Sequence, residues 1–164
     1  LKKILEKNLR TKRLEDLPKP LFIVATNISK AKPVYFKEGN LLDLVIASSS
    51  IPVVFRPVKI DDDFYVDGGV TDNFPLEPLK DVCQTIVGVN VNPIVGFNPE
   101  EGGLGQLAIH IFQMSVASGL EKKKKELDFY IEPIEMHKYS YIDLGAGKEM
   151  MEIGYKEAKR VMSK

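Results

Sequence analysis

The stretch LFIVATNI, residues 21–28, is an unbroken apolar and β-branched run of strand length. A run of this kind suits a strand covered on both faces, not one with a wet side. TIVGVNV (85–91) has the same character. Shorter strand signals lie at PVYF (33–36), at VFRPVKI (54–60) with FYV (64–66), and at DFYIEPI (128–134). The 54–60 and 64–66 segments flank Asp61-Asp62-Asp63 and read as a hairpin.

Helical patterns alternate with these strands. Residues 1–14 read as a basic helix, closed before Leu-Pro-Lys-Pro (17–20) because proline disfavours helix in the residue before it. LLDLVIASSS (41–50) carries an apolar stripe and stops before Pro52. LEPLKDVC (76–83) reads as a short helix and residues 104–127 as a long one. Residues 147–164 close as an amphipathic helix, with Met151, Tyr155, Ala158, Val161 and Met162 on one face. Buried strands alternating with helices predict an α/β layer architecture. In such sheets the working residues sit at the carboxyl ends of strands.

Composition narrows the function. The chain is 44% hydrophobic and 28% charged, with 23 basic and 23 acidic residues. It lacks the basic surplus of a nucleic-acid binder. No apolar run reaches the roughly 18 residues of a membrane span, and the N-terminus lacks the apolar core of a signal peptide. Cys83 is the single cysteine and reads as a small buried hydrophobe. The chain starts at Leu1 with a helix already in progress and no capping residue ahead of it. It is therefore expected to be a piece of a longer protein.

FYVDGGVTDNFP (64–75) delivers Asp67 from a strand straight onto Gly68 and Gly69. The bland reading is a turn, with glycine supplying positive φ. The functional reading is a carboxylate poised as a general base, with glycines letting other atoms come close. The wider block ASSSIPVVFRPVKIDDDFYVDGGVTDNFP (47–75) favours the second. Its Ala47, Ser48, Ser50, Pro52, Phe55, Pro57, Asp67, Gly68, Gly69, Asn73 and Pro75 resemble the pattern of the patatin-like phospholipase family in its bacterial form. DLPKPLFIVATNI ahead of the block, TIVGVNVNP after it and the final helix extend the resemblance over most of the chain.

The resemblance implies a patatin-like fold, related to the α/β-hydrolase type, with a layered sheet and helices on both faces. Residues 1–164 would be the C-terminal portion of a single domain whose N-terminal half is missing. It implies an acyl hydrolase of phospholipids and other lipid esters that uses a Ser-Asp dyad, with neither cofactor nor metal. Asp67 takes the base's place, Gly68 and Gly69 shape its turn, and Asn73 stands as support beside it. The family's Gly-x-Ser-x-Gly elbow and Gly-rich oxyanion loop do not occur in residues 1–164. EEGGLGQ (100–106) is the nearest Gly-rich stretch and follows Asp67 instead of preceding it. The expected partners are a lipid ester and the missing half, and this chain alone is expected to be inactive. The alternative is a non-catalytic binding or assembly module that kept the fold.

Other candidates have plainer readings. Ser48, Ser49 and Ser50 have no flanking glycines and read as a helix end bonded to backbone. Asp61 to Asp63 read as an exposed hairpin turn, since calcium loops space their ligands and need a glycine. Asp72 reads as a brace of the Asp67 turn. His110 and His137 sit in no ligand motif, and His110 reads as a packed residue. Lys122 to Lys125 read as a solvated helix end. With the basic residues of 2–13, that run raises the expectation of peripheral contact with anionic lipid. The expected location is the cytoplasm, with export left open because some bacterial relatives are secreted effectors.

Overall fold

The computed structural model describes residues 2–52, 54–100, 103–139 and 145–163. Leu1, Lys164 and the Glu101-Gly102 part of the Gly-rich stretch lie outside the described residues. The chain forms two compact units, Leu1–Pro78 and Leu79–Lys164.

The first unit is built on four strands: β1 (Ile23–Asn27), β2 (Lys32–Phe36), β3 (Val58–Ile60) and β4 (Asp63–Asp67). Their order is β2-β1-β4-β3, and every neighbouring pair is antiparallel. Connection length dictates much of this. Residues 28–31 alone join β1 to β2, and Asp61-Asp62 alone join β3 to β4. Links that short permit only hairpins, whereas a parallel pair needs a long crossover. Asp61 takes the left-handed backbone, φ 53°, which Asp tolerates better than most side chains. The prediction for β1 holds: all five of its residues are buried. Strands on both edges, and the helical segments Leu41–Ser48 and Gly69–Asp72 packed against it, do the covering.

Helix α2 (Leu41–Ser48) packs on β1, β3 and β4. Asn40 caps it, its Oδ1 accepting the N–H groups of Leu42 and Asp43, a contribution of about 1 kcal/mol. Gly39 precedes it at φ 129°, a conformation L side chains rarely adopt. Leu41 and Leu44 join Leu14 and Ile23 in one buried cluster, while Ala47 meets Ala25 and Tyr65 in another. Each fully buried leucine contributes about 1.5–3 kcal/mol. Helix α1 (Lys2–Asn8) is shorter than predicted. The Asn8 side chain turns back to the Ile4 carbonyl. A 3-10 turn at Leu14–Asp16 then drives Leu14 into the core.

Two short helices follow β4: α3 (Gly69–Asp72) and α4 (Glu77–Lys80), which crosses from the first unit to the second. The second unit pairs β5 (Val87–Val89) with β6 (Phe129–Ile131) in parallel, as a βαβ arrangement through α5 (Leu104–Ala117) and α6 (Leu120–Lys124). The single helix predicted over 104–127 is broken at Ser118-Gly119. Helix α7 (Gly147–Met162) packs against β6 and the 3-10 turn Ile134–Lys138.

Two burial expectations fail here. β5 is not covered on both faces: Val87 is 41% and Val89 53% exposed, because β6 is its one neighbouring strand among the described residues. On α7, Met151, Tyr155 and Met162 face outward. The half-covered positions are Met150, Ile153, Gly154, Glu157, Ala158 and Val161. The covered stripe is thus rotated from the one that hydrophobicity alone selects. Among the described residues, no helix is long and apolar enough to cross a membrane.

Candidate active site

Asp67 ends β4, as the sequence predicts. Its backbone is held from two sides. The Asp67 N–H donates to the Ser50 carbonyl at 3.0 Å. Its own carbonyl accepts the Thr26 hydroxyl at 2.8 Å. Thr26 lies on the neighbouring strand, where Ala25 pairs with Asp67. The Thr26 and Thr71 hydroxyls are 2.9 Å apart. A hydroxyl has one proton to give. With Thr26's committed to Asp67, the Thr71 hydroxyl is the donor to Thr26.

The Asp67 carboxylate is half-buried. Its Oδ1 accepts the Gly69 N–H at 2.8 Å, closing a tight side-chain turn. Its Oδ2 has no hydrogen-bond partner among the described residues. Burial pushes the Asp67 carboxyl above the ordinary aspartate range, and the Gly69 N–H pulls it partly back.

The two glycines are needed, but not for positive φ. Gly68 has φ −61°, which any residue adopts. What excludes a side chain is space: a Cβ on Gly68 would lie 2.5 Å from the Val24 carbonyl oxygen. A Cβ on Gly69 would lie 2.9 Å from Asn73 Oδ1 and 3.1 Å from Asp67 Oδ1. The Asp67 carboxylate and the Asn73 amide therefore flank one bare Cα, which places Asn73 beside Asp67.

Asp72 braces the turn from beneath. It is 8% exposed, accepts the Tyr35 hydroxyl at 2.6 Å and accepts the Phe74 N–H at 3.3 Å. Burial, with the bond to Asp72 next, pushes the Tyr35 phenol up to about 12. Thr26, Thr71 and Tyr35 belong to this site, and the sequence reading missed all three. The available signal was Thr26 itself, a hydroxyl inside an apolar run.

Ser49 and Ser50 are occupied with backbone, as expected. Ser49 Oγ donates to the Val45 carbonyl and Ser50 Oγ to the Ile46 carbonyl, both at 2.7 Å. Asp61 and Asp62 are exposed, as predicted for a hairpin turn. Asp63 is not: it accepts Lys30 Nζ at 2.6 Å and Asn27 Nδ2 at 2.9 Å. The bond from Lys30 is the largest cause holding its carboxyl below the usual range. No group of three or more His, Cys, Asp or Glu side chains is placed to hold a metal among the described residues.

In the second unit, His110 stacks on Phe97 with ring centres 5.0 Å apart. His137 Nδ1 donates to the Ile134 carbonyl at 2.6 Å. Both line a small cavity of about 190 Å3 with Ile94 and Met136. Cys83 is exposed, against the expectation of burial. Of the lysine run, Lys122 and Lys125 are exposed, but Lys124 is not a solvated end. It pairs with Glu121 and Glu132 and sits 4.5 Å over the Tyr130 ring.

Residues 1–80 match the family described as Patatin-like phospholipase. An NTE family protein of Mycobacterium tuberculosis, itself named as uncharacterised, is 35% identical over 80 residues, covering 48% of this chain and 22% of the relative. A protein of Invertebrate iridescent virus 6 named a probable lipid hydrolase is 38% identical over 68 residues, 38% of this chain and 23% of the relative. A lysophospholipase of Aspergillus terreus is 24% identical over 178 aligned positions, 93% of this chain and 12% of the relative. The chain thus spans less than a quarter of the length of each of these relatives. Residues 1–80, just under half of the chain, are thus similar to the patatin-like phospholipase family, and the relatives that match the chain carry NTE-family, lipid hydrolase and lysophospholipase names.

Proposed function

We propose that this chain supplies the general base of a lipid acyl hydrolase, with Asp67 as the base of a Ser-Asp dyad. The observation that carries the reading is the state of the Asp67 carboxylate. One oxygen is fixed by the Gly69 N–H and the other has no partner among the described residues. Burial raises its proton affinity. An ordinary aspartate is too weak a base at neutral pH, and desolvation is the remedy. In the proposed step the serine Oγ–H proton passes to Asp67 Oδ2 as Oγ attacks the ester carbonyl. The proton then leaves with the alcohol, and water releases the fatty acid through the same base.

The names of the Aspergillus and viral relatives support a lipid ester as substrate. Residues 1–164 contain no Gly-x-Ser-x-Gly, so the serine of this proposal lies on polypeptide outside them. Asn73, beside the carboxylate, is proposed as a support residue. The exposed Lys122 and Lys125, with Lys2, Lys3 and Lys7, are proposed to favour anionic lipid surfaces.

The test is a fluorophosphonate serine probe applied to the gene product as it is made in the cell. Labelling of a serine in a Gly-x-Ser-x-Gly segment, lost in Asp67→Asn, is the expected result. Labelling that persists undiminished in Asp67→Asn sinks the assignment of the base.

A further inference from the structure

β5 and β6 run parallel, so their carboxyl ends lie at the same end of the second unit's sheet. In open α/β sheets ligands bind just outside those ends. The cavity of about 190 Å3 is built from the segments that leave them. One wall is residues 91–97, shortly after β5 (Val87–Val89), and another is Met136 and His137, shortly after β6 (Phe129–Ile131). His110 and Gln113 come from α5, part of the crossover between the two strands. Three segments distant in sequence thus converge on one hollow.

Its lining is of two kinds. Ile94, Phe97 and Met136 supply apolar surface, while His110, Gln113 and His137 bring polar groups. An apolar hollow with a few convergent polar groups has the composition of a small-ligand site. Both imidazoles are held in place. The His110 ring stacks on Phe97 at 5.0 Å. His137 Nδ1 lies 2.6 Å from the Ile134 carbonyl, and a carbonyl only accepts, so the proton is on Nδ1. Nε2 is then the nitrogen that His137 offers a ligand. A carboxyl group suits it in either protonation state, as an acid donating to the Nε2 lone pair or as a carboxylate accepting from the imidazolium. None of the described lining residues is an Asp or Glu that would repel an anion. The apolar wall calls for a hydrocarbon chain on that carboxyl, and the volume restricts it to a short one.

We propose that this cavity binds a short aliphatic carboxylic acid, its carboxyl at His137 Nε2 and its chain against Ile94, Phe97 and Met136. A carboxylic acid is also the class of product released in the hydrolase reading above, and only that link rests on it.

The test is the proton–carbon imidazole spectrum of the full gene product, with the two rings assigned by the signals lost in His110→Gln and His137→Gln. Hexanoate is the probe. Both rings should shift and saturate together. Hexanol keeps the chain without the carboxyl and should bind about ten-fold more weakly or worse. His137→Ala, at an exposed position, should weaken hexanoate by a similar factor, followed at His110. Ile94→Trp fills the hollow from a 40%-exposed position and should abolish binding with the circular dichroism unchanged. Asp67→Asn should leave hexanoate binding as it is. Absence of any shift at millimolar hexanoate overturns the proposal, as does equal affinity for hexanoate and hexanol or for hexanoate and acetate. So do hexanoate shifts that persist in Ile94→Trp or vanish in Asp67→Asn, either of which puts the acid elsewhere. No readout here depends on catalysis, so a failed serine-labelling test leaves this proposal intact, and the reverse.

Discussion

The hydroxyl of Thr26 and the carbonyl of Asp67 meet at 2.8 Å, 41 positions apart in the chain. This bond ties the end of β4 to the central strand at the residue where the carboxylate begins. Thr26→Val keeps a β-branched side chain in β1 but removes the hydroxyl and leaves Thr71 without its acceptor. A loss of about 1–2 kcal/mol in urea unfolding is expected. In the full gene product, serine labelling should slow through kcat more than through KM. Thr26→Ser should restore both. Equal behaviour of the Val and Ser variants would remove Thr26 from the positioning of Asp67.

Gly68 and Gly69 should fail in different ways when replaced by alanine. A methyl on Gly68 meets the backbone of Val24, which cannot swing aside. Gly68→Ala should cost about 1–3 kcal/mol or more by chemical denaturation. A methyl on Gly69 meets the tips of the Asn73 and Asp67 side chains, which can. Gly69→Ala should be milder in stability and should displace the carboxylate, so activity falls further than the fold does.

Asp67→Asn should inactivate without unfolding. The amide oxygen still accepts the Gly69 N–H, and no buried charge remains. Activity should drop about 100- to 10,000-fold. Because burial raises the folded-state pKa above the unfolded value of about 3.9, the folded state holds its proton longer. Wild-type stability from this group therefore falls as pH rises through that window. The advantage of Asn over Asp should be small at pH 3 and larger at pH 8, read as the shift in urea midpoint. An advantage that shrinks with rising pH would contradict a raised pKa.

Glu15 should act in the opposite sense. Its own N–H, then the Gly39 N–H at 2.9 Å, then Arg13 hold its carboxyl down to about 2. A depressed pKa contributes stability that is complete above the unfolded value of about 4.3 and lost as pH falls toward about 2. Glu15→Gln should flatten the acid limb of stability between pH 5 and pH 2, followed by circular dichroism. An unchanged acid limb would mean that the Gly39 contact is not held in solution.

The first unit was readable because its signals are local. The five buried positions of β1, the Asp61-Asp62 turn and the serines that close α2 follow from runs and turn residues alone. Asp67 was legible at its strand end for the same reason. What was missed depends on partners distant in sequence. Thr26, Thr71 and Tyr35 gain roles only once β1, β2 and α3 are neighbours. Close approach at the glycines was part of the favoured reading of Asp67, but that the approaching atom at Gly68 is the Val24 carbonyl of β1 leaves no mark in the sequence. The α7 stripe was misplaced because hydrophobicity ranked Met151 and Tyr155 above Gly154 and Glu157, and packing against β6 did not follow that ranking.

The hairpin character of the first sheet bears on when the Asp67 carboxylate acquires its folded surroundings. β1–β2 and β3–β4 each close over a few residues, so each forms quickly and locally. The Asp67 environment belongs to neither hairpin alone, since Thr26 and Val24 lie on one and Asp67 on the other. The carboxylate is desolvated only when the two hairpins dock. A chain still emerging from the ribosome thus carries an ordinary, fully hydrated aspartate until residue 67 and its turn have joined β1.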